Sequence, residues 1–149
     1  MNVLRTLIVL SVCIFTTFNA NSQNKEKSDI ELITEVLNHY IEGTANGEPD
    51  LLKIAFHPDF NLYTTKNDSL WIRSGEKYVS NIKKGKKSSR VGRIISIDYE
   101  NNAASAKAEI IIPNWRVYTD YFLLLKYQGS WKIVQKSYSY RTYSKKEKN

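Results

Sequence analysis

Asp120 is the one carboxylate in an otherwise core-like ribbon, Tyr118-Thr-Asp-Tyr-Phe-Leu-Leu-Leu125. An acid in such surroundings is either paired with a cation or kept for a ligand, and both are chemical roles. The hairpin that carries it predicts its neighbours. Gly129-Ser130, read as a two-residue type II′ loop with glycine first, sets Gln128 opposite Trp131, Phe122 opposite Ser137 and Asp120 opposite Ser139. Arg141 then opposes Tyr118 and lies diagonally from Asp120 on the same face. Phe122, Leu124, Ile133, Ser137 and Ser139 complete that face, and the small serines leave room for a ligand. A one-residue slip or a bulge would redistribute these residues between the two faces.

Tyr40 is the second candidate. It falls on the apolar stripe of a helix, so its ring is expected to be buried. Its hydroxyl either bonds a backbone carbonyl as a core tyrosine does, or lines a pocket as a donor. Asp120 carries a similar pair of readings, an ion pair with Arg141 or an acid facing a ligand. Phe56, Trp71 and Tyr118 are apolar or aromatic candidates for the wall of the same pocket.

Other chemistries lack their residues. Cys13 is the only cysteine, and His39 and His57 are the only histidines, without ligand-type spacing. No metal site and no cofactor are therefore expected. There is no Gly-x-Ser-x-Gly elbow and no glycine-rich phosphate loop. His57, before Pro58, is expected to satisfy loose carbonyls at a helix end. The formal charge of +7 is concentrated in Lys83-Lys84-Gly85-Lys86-Lys87 and Lys145-Lys146-Glu147-Lys148. Neither run is interleaved with aromatics, which argues for a solvated loop and a tail rather than a nucleic-acid surface.

The elements that position Tyr40 and Asp120 follow from periodicity. Ser28 and Glu31 have the spacing of a capping box, and Ile30, Ile33, Leu37, Tyr40 and Ile41 form one helical face. Pro49 begins a second short helix through Phe56, which His57-Pro58 stops. Strands are expected at Phe60–Thr64 and Leu70–Arg73, with the turn residues Lys66-Asn67-Asp68-Ser69 between them. Gly75–Lys84 reads as a third short helix with Tyr78, Val79 and Ile82 on its apolar side. Arg93–Glu100 and Ala103–Ile112 form a hairpin about Asn101-Asn102, setting Ile97 opposite Ala106 and Ile95 opposite Ala108. Large residues facing alanines leave space for a helix or a ligand. Pro113-Asn114 is a corner, and Trp115 opens the long hairpin. This order specifies an α+β domain with helices on one face of a curved antiparallel sheet.

Residues 1–20 have the three parts of a secretory signal peptide: Arg5, the apolar run Thr6–Phe18, and a small exit residue at Ala20. The run is too short to span a bilayer. The expected organisation is a signal peptide over 1–20, a disordered leader over 21–28, one domain over 29–143 and a basic tail over 144–149. The mature chain would be exported, periplasmic or extracellular, and would carry no cysteine, so packing alone must hold it together. About 129 residues suffice for one core and not for two.

The chain resembles the nuclear transport factor 2-like superfamily, the cone-shaped fold shared with ketosteroid isomerase and scytalone dehydratase. Within it, the chain is most similar to the putative lumazine-binding branch. The resemblance rests on Tyr40-Ile-Glu-Gly43, Ala55-Phe-His-Pro-Asp59, Gly92-Arg-Ile-Ile-Ser-Ile-Asp98, Tyr118-Thr-Asp-Tyr121, Leu124-Leu-Lys126, and Trp131-Lys-Ile-Val134 with Lys136. It implies that Tyr40 matches the isomerases' oxyanion-donating tyrosine, and that their second donor, a protonated acid, lies near Asp120. Their general base would fall at Thr64, which cannot abstract a carbon-bound proton near neutral pH.

Three readings follow. The first is an exported small-molecule-binding domain for a hydrophobic or heterocyclic ligand, gripped by Tyr40, Phe56, Trp71, Tyr118, Asp120, Phe122, Ser137, Ser139 and Arg141. Homodimerisation through the outer sheet face belongs to this reading, because both faces of Tyr118–Tyr127 are apolar and fold relatives pair there. The second is a lyase or isomerase using Tyr40 and Asp120. The third is a protein-interaction module with a filled core, for which a cavity below about 100 Å³ would speak.

Overall fold

The computed structural model describes residues 26–143. The expected signal peptide, Cys13, most of the leader and the basic tail from 144 onward lie outside the described residues. The elements in order are α1 (Asp29–Asn46), α2 (Pro49–Ala55), β1 (Phe56–Lys66), β2 (Ser69–Ser74), α3 (Gly75–Ser80), β3 (Val91–Glu100), β4 (Ala103–Ile112), β5 (Arg116–Tyr127) and β6 (Ser130–Thr142).

Helix α1 starts where the sequence places it. Ser28 accepts from the Glu31 backbone N–H and Glu31 accepts from the Ser28 N–H, a reciprocal capping box. Its buried stripe of Ile33, Val36, Leu37 and Tyr40 packs on the inner face of the sheet. Its first turn is tied to the far hairpin by Asp29, which accepts from Lys126 Nζ and from Trp131 Nε1, each at 2.8 Å. At its other end the lysine-rich loop folds back. Gly85 N–H donates to the Gly47 carbonyl and Ser88 N–H to that of Ala45, which brings cationic residues to the negative end of the helix dipole. Helix α3 is shorter than its apolar pattern predicts and stops at Ser80.

The six strands form one open sheet in the order β2-β1-β6-β5-β4-β3. All pairings are antiparallel except β1 with β6, which run parallel. His57-Pro58 lies inside β1 rather than in a loop closing α2, and His57 Nδ1 accepts from the Asp59 N–H instead of donating to helix carbonyls.

Two registers differ from the sequence reading: the β3–β4 hairpin by a bulge, and the β5–β6 hairpin by a shifted turn and a bulge. In the β5–β6 hairpin Tyr127 pairs with Ser130, so the turn is Gln128-Gly129. Both residues have positive φ, 48° and 76°, which is the type I′ geometry. A bulge then intervenes, with Leu124 opposite Ile133 but Leu123 opposite Gln135, leaving Val134 as the extra residue. As a result Phe122 faces Lys136, not Ser137, and Asp120 faces Tyr138, not Ser139. In the β3–β4 hairpin, Ile97 does oppose Ala106. A bulge at Ile95 puts Ile94 opposite Ala108 and turns Ile95 outward.

Across the inner face the pairings form rows. One runs Arg73–Leu62–Lys136–Phe122–Ala106–Ile97, and its neighbour includes Tyr138–Asp120–Ala108–Ile94. Ala104, Ala106 and Ala108 are buried, and their small volume lets α1 settle close to the sheet. Gly92 does the same on β3, because a Cβ there would stand 2.5 Å from Ile41 Cγ2 of α1. Phe56 stacks on Phe60 at 3.9 Å between ring centroids and closes the core beneath α2 and α3.

Candidate functional site

The open end of the sheet holds a cavity of about 430 Å³ between α1, α3 and the inner faces of β1, β2, β4, β5 and β6. Tyr40 reaches it from α1 and Asp120 from β5. The Tyr40 hydroxyl donates to Asp120 Oδ2 at 2.6 Å. Lys136 Nζ donates to both, at 2.8 Å to the Tyr40 oxygen and 3.1 Å to Asp120 Oδ2. All three side chains are buried, Asp120 at 1% and Lys136 at 4% exposure.

Lys136 is the most deeply buried of the polar cavity residues that the sequence reading missed, which also include Lys66, Arg73, Arg90, Arg116 and Tyr138. Its ammonium is paired with Asp120 and also faces the rings of Tyr40, Tyr138 and Tyr78, at 4.9, 5.1 and 5.4 Å. A cation removed from water is tolerated here because a carboxylate and three π faces surround it. No local sequence signal marks Lys136: Ile133 and Lys136 are buried three residues apart on one strand, a spacing that strict alternation forbids and the bulge produces.

Burial and the neighbouring Asp120 carboxylate push the Tyr40 phenol well above its ordinary range. Burial likewise raises Tyr138. The second carboxylate oxygen, Asp120 Oδ1, is buried and has no hydrogen-bond partner. An unmet buried acceptor costs about 1–3 kcal/mol, and a donor brought to it would recover that cost.

The structure divides the residues singled out from the sequence. Tyr40, Trp71, Tyr118 and Asp120 line the cavity together. Phe122 and Phe56 lie beneath it as packing. The Phe122 ring meets Tyr40 edge-on at 5.2 Å, and the Phe56 ring is 5.9 Å from Tyr40. Ser137, Ser139 and Arg141 are corrected to the outer face, because the Val134 bulge reverses their side. Arg141 opposes Val117 rather than Tyr118, and pairs with Glu109 at 3.5 Å. The partner of Asp120 is thus Lys136, not Arg141. Thr64, at the position of the isomerases' base, donates to the Tyr138 carbonyl at 2.8 Å and does not line the cavity.

Among the described residues, no three His, Cys, Asp or Glu side chains gather as metal ligands, and no helix is long and apolar enough to cross a membrane.

Comparison with curated proteins gives no match. Solved structures do match. A nuclear transport factor 2-like protein of unknown function from Silicibacter pomeroyi is 19% identical, with a TM-score of 0.66, covering 75% of this chain and 95% of that one. Another of unknown function, from Methylobacillus flagellatus, is 28% identical with a TM-score of 0.65, covering 80% and 97%. A protein described as a putative ketosteroid isomerase, from Shewanella frigidimarina, is 13% identical with a TM-score of 0.52, covering 72% and 94%. Residues 28–139 match the family described as "Putative lumazine-binding". That span contains both α1 with Tyr40 and the β5–β6 hairpin with Asp120 and Lys136, and the chain belongs to this putative lumazine-binding family of the nuclear transport factor 2-like superfamily.

Proposed function

We propose that the protein is an exported binder of a small hydrophobic or heterocyclic molecule, held in the cavity over Tyr40 and Asp120. The observation that carries this reading is the cavity of about 430 Å³ with Tyr40 and Asp120 in its wall. Its volume falls in the range of small-molecule sites and is well above that of a filled core. Its walls combine aromatic rings with a few convergent polar groups, the usual composition of such sites. The family's description points to the same class of ligand. Native mass spectrometry of protein purified from its own source tests the reading: a retained ligand appears as added mass, and an empty protein under every gentle condition contradicts it.

The fold likeness to a protein described as a putative ketosteroid isomerase keeps isomerase or lyase chemistry as the second reading. The Tyr40–Asp120 contact favours it, and the donor geometry speaks against it. Tyr40 and Lys136 both donate to Asp120, so Asp120 serves as an acceptor rather than as a protonated oxyanion donor. Thr64 supplies no carboxylate base.

The outer sheet face supports a homodimer. Tyr121, Leu123 and Leu125 on β5 and the bulged Ile95 on β3 are exposed there, an apolar surface of the kind a second copy covers. Sedimentation of the wild type and of Leu123→Lys distinguishes the two outcomes: a dimer that dissociates in the variant, or a monomer in both.

A further inference from the structure

The cavity wall carries five cationic side chains, Lys66, Arg73, Arg90, Arg116 and Lys136, against the single carboxylate of Asp120. Lys136 is already matched to that carboxylate. Among the described residues none of the other four has an ion-pair partner, although Arg93, Arg141, Lys53, Lys84 and Lys126 elsewhere are paired. These four cations therefore act on the cavity without local neutralisation, and a low-dielectric cleft lined by one sign of charge concentrates its field.

Arg116 is the most tightly held of the four. Its guanidinium lies 4.5 Å from the Trp115 ring centroid and 4.1 Å from that of Tyr140, while Nη1 donates to the Tyr118 hydroxyl at 3.3 Å. Its Nε is buried and has no acceptor. Lys66 and Arg73 both stand over the ring of Trp71, at 4.0 and 4.7 Å. Stacked in this way, the cations are pre-oriented, so less ordering entropy is lost when an anion arrives.

Arg116, Tyr118 and Asp120 alternate along one face of β5, which sets the arginine and the acid roughly 13 Å apart along the strand. Arg116 and Asp120 both line the cavity, and each has a buried polar atom, Nε and Oδ1, without a hydrogen-bond partner. Tyr118 lies between them on the strand, its ring 6.0 Å from that of Tyr138, which pairs opposite Asp120.

We infer that the ligand is a planar aromatic or heterocyclic acid. Its anionic group meets Arg116 and the neighbouring cations, its ring lies against the tyrosines, and its far end lies towards Asp120. This deepens the small-molecule reading of the same cavity and rests on it.

The test uses matched probes on the mature full chain: 2-naphthoate and its neutral amide, 2-naphthamide, titrated by calorimetry and by fluorescence. The acid is expected to bind about tenfold or more tightly than the amide, the scale of one charge-assisted hydrogen bond. The preference should shrink between about 0.05 M and 0.5 M salt. Arg116→Gln should reduce it and Arg116→Lys should retain part of it, with thermal melts verifying that both variants fold. Equal affinity for acid and amide, or a preference for the amide, overturns the inference and leaves the small-molecule reading standing. Binding of neither probe also overturns it, and native mass spectrometry of the natively purified protein then decides the underlying reading separately.

Discussion

Tyr40 and Asp120, eighty residues apart in the chain, share a buried hydrogen bond of 2.6 Å. It joins the middle of the first helix to the middle of the fifth strand, and it anchors the wall of the cavity. Lys136 closes the group by donating to both oxygens. The three residues thus have a structural role as well as a candidate binding role, and stability and affinity measurements can separate the two.

Breaking the buried ion pair from one side should cost more than removing it whole. Lys136→Met leaves the Asp120 carboxylate buried without its cation, and a loss of about 3–5 kcal/mol is expected in urea unfolding. The double variant Asp120→Leu with Lys136→Met should recover most of that loss, because no unmatched charge remains. Additive losses in the two single variants would contradict the pairing.

Tyr40 should be the last tyrosine to ionise. Its phenol is raised by burial and by Asp120, so the folded state keeps it protonated while the unfolded chain ionises it near pH 10. The stabilisation is complete below the unfolded value and is lost as pH rises through the folded one. Alkaline absorbance titration should show a phenolate signal that appears only with unfolding and is absent in Tyr40→Phe. A Tyr40 that titrates reversibly in the folded protein near pH 10 would refute the buried contact.

At the acid end the sign is reversed. Asp29 is held low by its hydrogen bonds from Lys126 and Trp131, Glu109 by Arg93, and Asp50 by Lys53 and Lys84. Groups depressed on folding contribute stability above their unfolded values, near pH 4, and lose it as pH falls through the lower folded values. Melting temperature should therefore decline below about pH 4. Asp29→Asn should flatten part of that decline, since it removes the proton whose uptake drives it.

The exported form is expected to begin at or near Asn21, which N-terminal sequencing checks. With Cys13 removed, the unfolding midpoint should be identical with and without reductant. A retained Met1, a lipid on Cys13 or a reductant-dependent midpoint would contradict this processing.

The fold and half of the site are legible from local patterns. Ser28 and Glu31 mark the start of α1 by chemistry that needs no tertiary context, and the apolar stripe assigns Tyr40 to its buried side. Asp120 keeps its face because β5 pairs with β4 in one unbroken register from Arg116 to Leu125. The other wall was not legible, for a physical reason. Gly129 fits both as the first residue of a type II′ turn and as the second of a type I′ turn, and nothing local chooses between them. The choice made here places Gln128 in a left-handed conformation, which disfavours it as a sequence signal. The Val134 bulge then reverses the side of every residue beyond it, so Lys136 and Tyr138 face the cavity while Ser137 and Ser139 face out. The parallel pairing of β1 with β6 is equally non-local, since those strands are joined through most of the chain.

The most direct measurement of the central claim is a crystal structure of the protein purified from its own source, without added ligand. The account predicts non-protein density in the cavity between Tyr40, Tyr118 and Tyr138. Density for water alone in that cavity, together with a native mass equal to that of the bare chain, would contradict it.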